Sequence, residues 1–280
     1  MKYMAASRKS QVASPKETTT VSFTKAEQIY KHPDGGDLTM HIYAPESPGS
    51  ARAAIVFFFG GGWQGGNPKQ FFPHCEHLAS RGMVACSAQY RVKSTHGVSP
   101  AECVVDGKSA VRWLRSHASE LGVDPARVAA GGGSAGGHVA ACTGVVEGFD
   151  APGEDETIRS RPDALVLFNP VLDIASHEQW HERFGEHFEA LSPLQHARPG
   201  LPPCIVFHGT GDTTVPFADV ERFRDRMLEA GNECEVVGFE GKPHGFFNYG
   251  RFDNKPYKES VRAMDRFLVK HGFLAGAASL

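Results

Sequence analysis

Four short stretches hold side chains or backbone groups whose types and spacing can do chemistry together. Residues 129–138 read AAGGGSAGGH, with Ser134 at the centre of a G-x-S-x-G frame. A serine hydroxyl is a weak nucleophile at neutral pH. It reacts when a base within hydrogen-bond reach takes its proton and a third group orients that base. Residues 209–216, GTGDTTVP, offer the carboxylate of Asp212, and residues 241–246, GKPHGF, offer the imidazole of His244. Residues 60–63, GGGW, offer backbone N–H groups unobstructed by side chains, the type of donor that holds an oxyanion. Gly61 and Gly62, with Ala135 from the serine turn, are the expected donors. The serine frame alone is weak. With 31 glycines in 280 residues, composition alone yields roughly 0.2 chance matches, so the elements around the frame must decide.

Each stretch follows an apolar, β-prone run: 53–59, 127–131, 204–208 and 233–239. Continuous apolar runs of this length suit strands covered on both faces. Further strands are expected at 21–30, 38–43, 82–89 and 164–168, the first two joined in a hairpin through Asp34-Gly35-Gly36-Asp37. A helix is expected from Ser99-Pro100-Ala101-Glu102, a capping box with proline in the first position, running to Gly122. Others follow at 135–146, around Val220, Phe223 and Met227, and around Val261, Met264 and Leu268. Strands alternating with helices give an α/β fold, a mostly parallel central sheet with helices on both faces. In such a sheet, reactive groups collect beyond the C-terminal ends of the strands, where all four stretches fall. Asp212 also has a plainer reading as a helix cap, and Asp173, after the run at 164–168, is the alternative acid.

Hydrophobic residues make up 41% of the chain, enough for one domain over residues 19–280 with an insertion at about 173–203. Residues 1–18 read as a flexible polar tail without the apolar segment of a signal peptide. A cytoplasmic location is the default expectation; a secreted or periplasmic one requires a signal removed beforehand. A formal net charge of -3 leaves no basic excess for nucleic acid. No apolar run approaches the roughly 20 residues of a membrane span. Six scattered cysteines, without a C-x-x-C pair, are expected to be reduced core thiols. Nothing in the chain sets an oligomeric state.

Taken together, Phe59-Gly60-Gly61-Gly62-Trp63, residues 132–136, Gly211-Asp212 with Val215-Pro216, and His244-Gly245-Phe246 carry a resemblance. Over residues 20–275 the chain resembles the α/β-hydrolase superfamily, whose Ser, Asp, His chain order it shares. Within it, the chain is similar to the acetylxylan, feruloyl and other carbohydrate acyl esterases. The resemblance implies a serine ester hydrolase that removes short acyl groups, acetyl above all, from carbohydrate or similar small esters, with no cofactor. Phe59 stands where the better-known lipase and esterase branch has histidine, which moves the match away from that branch. A serine peptidase of the prolyl-oligopeptidase type is the rival enzyme, although the chain lacks room for the large extra domain. A ligand-binding protein that kept the fold without catalysis is the rival of another class.

The insertion contains H-E-x-x-H, formed by His177, Glu178 and His181, a zinc-peptidase pattern, with His187 where a third ligand belongs. Phe184 occupies the place of the glycine in the longer form, and the insertion is too small for a metalloprotease domain, so no metal site is expected. Trp180, Phe184 and Phe188 instead recur at a spacing of four, an apolar helical face expected to close over Ser134. Trp63, Trp180 and Phe246 are expected to line a substrate pocket, with Phe71, Phe72 and Phe247 as further aromatics near strand ends.

Overall fold

The apolar runs form strands β1 (Phe23–Lys31), β2 (Leu38–Pro45), β3 (Arg52–Phe58), β4 (Val84–Ala88), β5 (Val123–Gly133), β6 (Ala164–Phe168), β7 (Cys204–Gly209) and β8 (Cys234–Phe239). The structure is a computed structural model describing residues 21–47, 49 and 51–277; the expected tail at 1–18 lies outside the described residues. The strands make one sheet in the order β1-β2-β4-β3-β5-β6-β7-β8. β1 pairs antiparallel with β2 and β2 with β4, and every other pair is parallel. β4, β6 and β7 are buried at every position, as their mostly apolar composition requires, with Ser87 and His208 the polar exceptions. β1 lies at the edge and exposes Thr24, Lys25, Glu27 and Gln28, polar side chains that discourage pairing with another chain.

The helices are α1 (Phe72–Ser80), α2 (Lys93–His96), α3 (Pro100–Ser116), α4 (Ala118–Leu121), α5 (Ala135–Val145), α6 (Glu178–Phe184), α7 (Phe217–Glu229) and α8 (Lys255–Lys270). Apolar residues of α1 and α8 pack on one face of the sheet, and those of α3, α5 and α7 on the other. The capping box on α3 is present: Ser99 Oγ accepts from Ala101 N, and Ser99 N donates to Glu102 Oε2 at 2.9 Å. Such caps stabilise a helix by about 1 kcal/mol.

Two boundaries differ from the sequence expectation. β5 begins at Val123, not at 127, because Val123 pairs with Arg52 of β3 ahead of an irregularity, and the regular pairing resumes at Ala54↔Val128. The segment after β6 breaks its helix early. Gly185 takes φ +55°, so α6 ends at Phe184, and Phe188 falls beyond it instead of continuing the four-residue stripe. Phe184, Leu191 and Leu194 from this segment are buried in the same core cluster as α5 and α7. The six cysteines are buried and free. Among the described residues, no helix is long and apolar enough to cross a membrane.

Candidate active site

Ser134 sits at the sharp turn from β5 into α5, with φ 54° and ψ −120°, a conformation costly for any side-chain-bearing residue. The flanking glycines follow from sterics. A Cβ at Gly136 would lie 2.1 Å from the Phe58 carbonyl oxygen, and one at Gly132 would lie 2.3 Å from that of Gly136. The turn is pinned by Ser134 N donating to the Phe168 carbonyl at 2.9 Å. It therefore holds the hydroxyl out at the C-terminal edge of the sheet, where the loops after β3, β7 and β8 converge.

His244 Nε2 lies 2.8 Å from Ser134 Oγ, and His244 Nδ1 lies 2.6 Å from Asp212 Oδ2. With Asp212 ionised, Nδ1 carries the proton and Nε2 accepts from the serine hydroxyl. Asp212 is held from its other side by the backbone N–H groups of Thr214 and Val215, at 2.8 and 3.0 Å from Oδ1. Burial pushes its carboxyl up, yet hydrogen bonds from His208 and His244 outweigh burial and, with the Val215 N–H, hold it well below the usual carboxylate range. This hydrogen-bonded set can pass a proton from a hydroxyl to a ring nitrogen whose opposite N–H faces an anion.

The glycine loop after β3 turns through Gly61 at φ +138°, closed by the N–H groups of Gln64 and Gly65 on the Gly61 carbonyl at 3.1 and 3.3 Å. A Cβ at Gly61 would lie 2.0 Å from the Gly65 carbonyl oxygen. The N–H groups of Gly61, Gly62 and Ala135 have no acceptor among the described residues, and Ala135 opens α5, where the first helical N–H groups lack intrahelical partners. A cavity of about 450 Å³ lies over Ser134, lined on one side by the glycine loop and on the other by His244, Asn248 and Arg251. Trp63 and Trp180 line it. Trp63 is 1% exposed and stands edge-on to Trp180, Phe184 and His138, so it presents little free face.

Phe246, expected to line the substrate pocket, does not do so. It is fully buried against Phe239, at 4.5 Å between ring centroids, and Phe247 lines the cavity in its place. Phe71 and Phe72 also lie away from it, in and against the core. Asp173, the alternative acid, is engaged by Arg222 at 2.8 Å and by the Ser176 N–H at 3.0 Å, with no bond to His244. The H-E-x-x-H residues do not converge. His177 Nε2 meets Asp219 Oδ2 at 2.8 Å, His181 Nε2 meets the Ala175 carbonyl at 3.0 Å, and the His187 ring packs on Phe149.

Several polar groups around the site carried no sequence motif. Gln70 accepts from Gly60 N at 2.6 Å and donates to Asn248 at 2.8 Å, tying the glycine loop to the segment after His244. Asn169, at the end of β6 with φ 34°, accepts from Gly245 N at 3.0 Å. His138 accepts from Trp63 Nε1 at 3.3 Å and donates Nε2–H to the Leu191 carbonyl at 2.8 Å, joining the glycine loop, α5 and the segment over the cavity. Burial pushes its imidazole down to about 4, so at neutral pH it is uncharged. Only Asn169 had a local cue, since asparagine tolerates positive φ better than other side chains.

Residues 40–227 match the family profile BD-FAE, which covers more than half of the sequence. The chain belongs to the BD-FAE family. Among solved structures, this BD-FAE chain is 54% identical to Thermogutta terrifontis esterase 2 phosphoramylated by tabun, with 90% of this chain and 96% of that one covered and a TM-score of 0.87. The butyrate-bound structure of the same esterase is 51% identical, covers 92% and 97%, and has a TM-score of 0.85. Esterase LipQ of Mycobacterium tuberculosis is 30% identical over 66% of this chain and 48% of its own length. The chain spans about half the length of the curated relatives it matches. The sheet and these neighbours together make the fold that of the α/β-hydrolases.

Proposed function

We propose that this chain is a serine carboxylic-ester hydrolase that forms an acyl-enzyme on Ser134 and prefers short acyl groups. The unbroken contact from Ser134 through His244 to Asp212, at 2.8 and 2.6 Å, carries the reading. Ser134 Oγ attacks the ester carbonyl carbon while His244 Nε2 takes its proton, and Asp212 stabilises the resulting imidazolium. The N–H groups of Ala135 and of Gly61 and Gly62 receive the oxyanion in the tetrahedral intermediate. His244 then gives its proton to the departing alcohol oxygen, and a water activated by the same nitrogen releases the acid.

A covalent organophosphorus adduct and a butyrate complex are named for the Thermogutta esterase, which supports a nucleophilic site with a short acyl pocket here. Trp180 and Arg183 narrow the cavity from the segment over it, and Val171 and Phe247 supply apolar lining. Acetyl is the acyl group proposed first. For the alcohol half, the carbohydrate assignment keeps Trp180 and Phe247 as aromatic lining, with Trp63 turned edge-on into the packing. The segment at 173–203 acts as a short cap on a single domain. A hydrolysis panel of p-nitrophenyl acetate, butyrate and octanoate beside acetylated xylan and feruloyl sugars tests the reading. Acetate and butyrate are expected to exceed octanoate in kcat/KM; a clear preference for octanoate overturns the short acyl pocket.

A further inference from the structure

The protein is negative overall, with a formal charge of -3, yet its cavity is lined by two arginines and no carboxylate. Arg183 projects from α6, its guanidinium 5.2 Å from the Trp180 ring centroid and 3.3 Å from the Gly62 carbonyl. Arg251 stands on the opposite side, beyond His244. Its Nη1 donates to the carbonyls of His244 and Gly245 at 3.1 and 3.2 Å. Neither arginine makes an ion pair among the described residues, in contrast to Arg81, Arg91 and Arg112, each of which grips a carboxylate. Lys242, outside the lining of this cavity, is a third cation beside Arg251. Its Nζ lies 4.6 Å and the Arg251 guanidinium 5.5 Å from the centroid of one ring, that of half-exposed Phe252. Two like charges sharing a ring repel each other, an arrangement that an anion between or beside them relieves.

We propose that the substrate's alcohol half carries an oxyanion group, a carboxylate or its like, received by Arg251 on the His244 side of the cavity and favoured by Arg183 across it. The assignment rests on the catalytic reading above and deepens it. The alcohol half lies on this side because His244 Nε2 must reach the leaving oxygen to protonate it. Arg251 spends one nitrogen on the two loop carbonyls; its Nε and Nη2 donors have no partner among the described residues and form the fork that matches an oxyanion. Asp212, the buried carboxylate beside His244, is occupied by Thr214, Val215, His208 and His244 and makes no bond to either arginine.

The test compares 3- and 4-acetoxybenzoate with the matching neutral acetoxybenzamides, each ratio of kcat/KM values being divided by the ratio of the two esters' non-enzymatic hydrolysis rates, so that the differing leaving-group basicity drops out and the anion is read. At low salt, the wild type is expected to favour the benzoates by roughly ten-fold, expressed mainly in KM. High salt should shrink that ratio. In Arg251→Gln the ratio should fall to about one or two, in Arg251→Lys most of it should persist, and in Arg251→Glu it should invert. Arg183→Gln should lower it by a smaller factor. Because each variant is its own control, slower overall turnover leaves the ratio readable. A wild-type ratio at or below one, or a ratio unchanged in Arg251→Gln, overturns the proposal. So does a larger gain for 4-nitrophenyl hydrogen succinate over 4-nitrophenyl butyrate, which would place the anion in the acyl half. Failure to hydrolyse the neutral amides as well, or equal hydrolysis by Ser134→Ala, strikes the catalytic reading and takes this proposal with it.

Discussion

Asp212 answers to four hydrogen-bond donors, and that engagement separates its role from that of Asp173, which Arg222 and the Ser176 N–H occupy. Asp212→Asn keeps the shape but reverses the tautomer preference of His244, so kcat on p-nitrophenyl acetate should fall by about 10⁴. Asp173→Asn should lower thermal stability while kcat stays within a few-fold. The reverse ranking would move the acid to Asp173. Ser134→Ala should lower kcat by about 10⁶, measured on protein freed of contaminating esterase. Residue types at this scale were legible because each sits in a strand-end loop with a glycine or proline beside it. Phe246 and Phe247 were not separable from sequence, since neighbours in a turn have no period to say which faces the core.

At the scale of elements, the sheet could be read from its apolar runs, and the elbow from its glycines. Gly136→Ala is a direct check on that elbow, because the added methyl would meet the Phe58 and Phe59 carbonyl oxygens at 2.1 and 2.3 Å. Backbone does not yield as a flexible side chain does. The variant should lose on the order of 1–3 kcal/mol of stability, seen in urea titration, along with most esterase turnover. Unchanged stability would mean that the close approach of α5 to β3 is mistaken. Less was legible where tertiary contacts overrule local pattern. The apolar stripe of Trp180, Phe184 and Phe188 predicted a longer helix, but Gly185 at φ +55° ends α6. β5 starts early because Val123 pairs with Arg52 of β3 ahead of a register shift, a tertiary pairing that no local composition announces. Gln70, Asn169 and His138 join segments far apart in the chain, and, the positive φ of Asn169 aside, single polar residues of this kind have no pattern to find.

At the scale of the whole molecule, two fully buried imidazoles among the described residues, His74 and His138, contribute to the response to acid. Burial pushes His138 down to about 4, and burial, with a smaller push from His77, takes His74 down to about 3. Their unfolded values lie near 6.5, so below that pH the unfolded chain binds protons that the folded one does not. Stability should therefore fall as pH drops from about 6.5 to about 4, ahead of the losses from depressed carboxylates such as Asp212. Both ring nitrogens of His74 lack a hydrogen-bond partner among the described residues, within an aromatic cage that includes Phe71, Phe168 and Tyr257. His74→Phe should therefore flatten the pH dependence of urea stability between pH 7 and 5; an unchanged slope would mean that His74 is protonated or solvated in the fold. Whether the intact chain carries a single nucleophile, Ser134, is read by intact mass and peptide mapping after reaction with an organophosphate such as paraoxon. One adduct per chain is expected, located on Ser134, with activity lost in proportion and no adduct on Ser134→Ala. Labelling at another residue, or full labelling of Ser134 with activity retained, would contradict this role for Ser134.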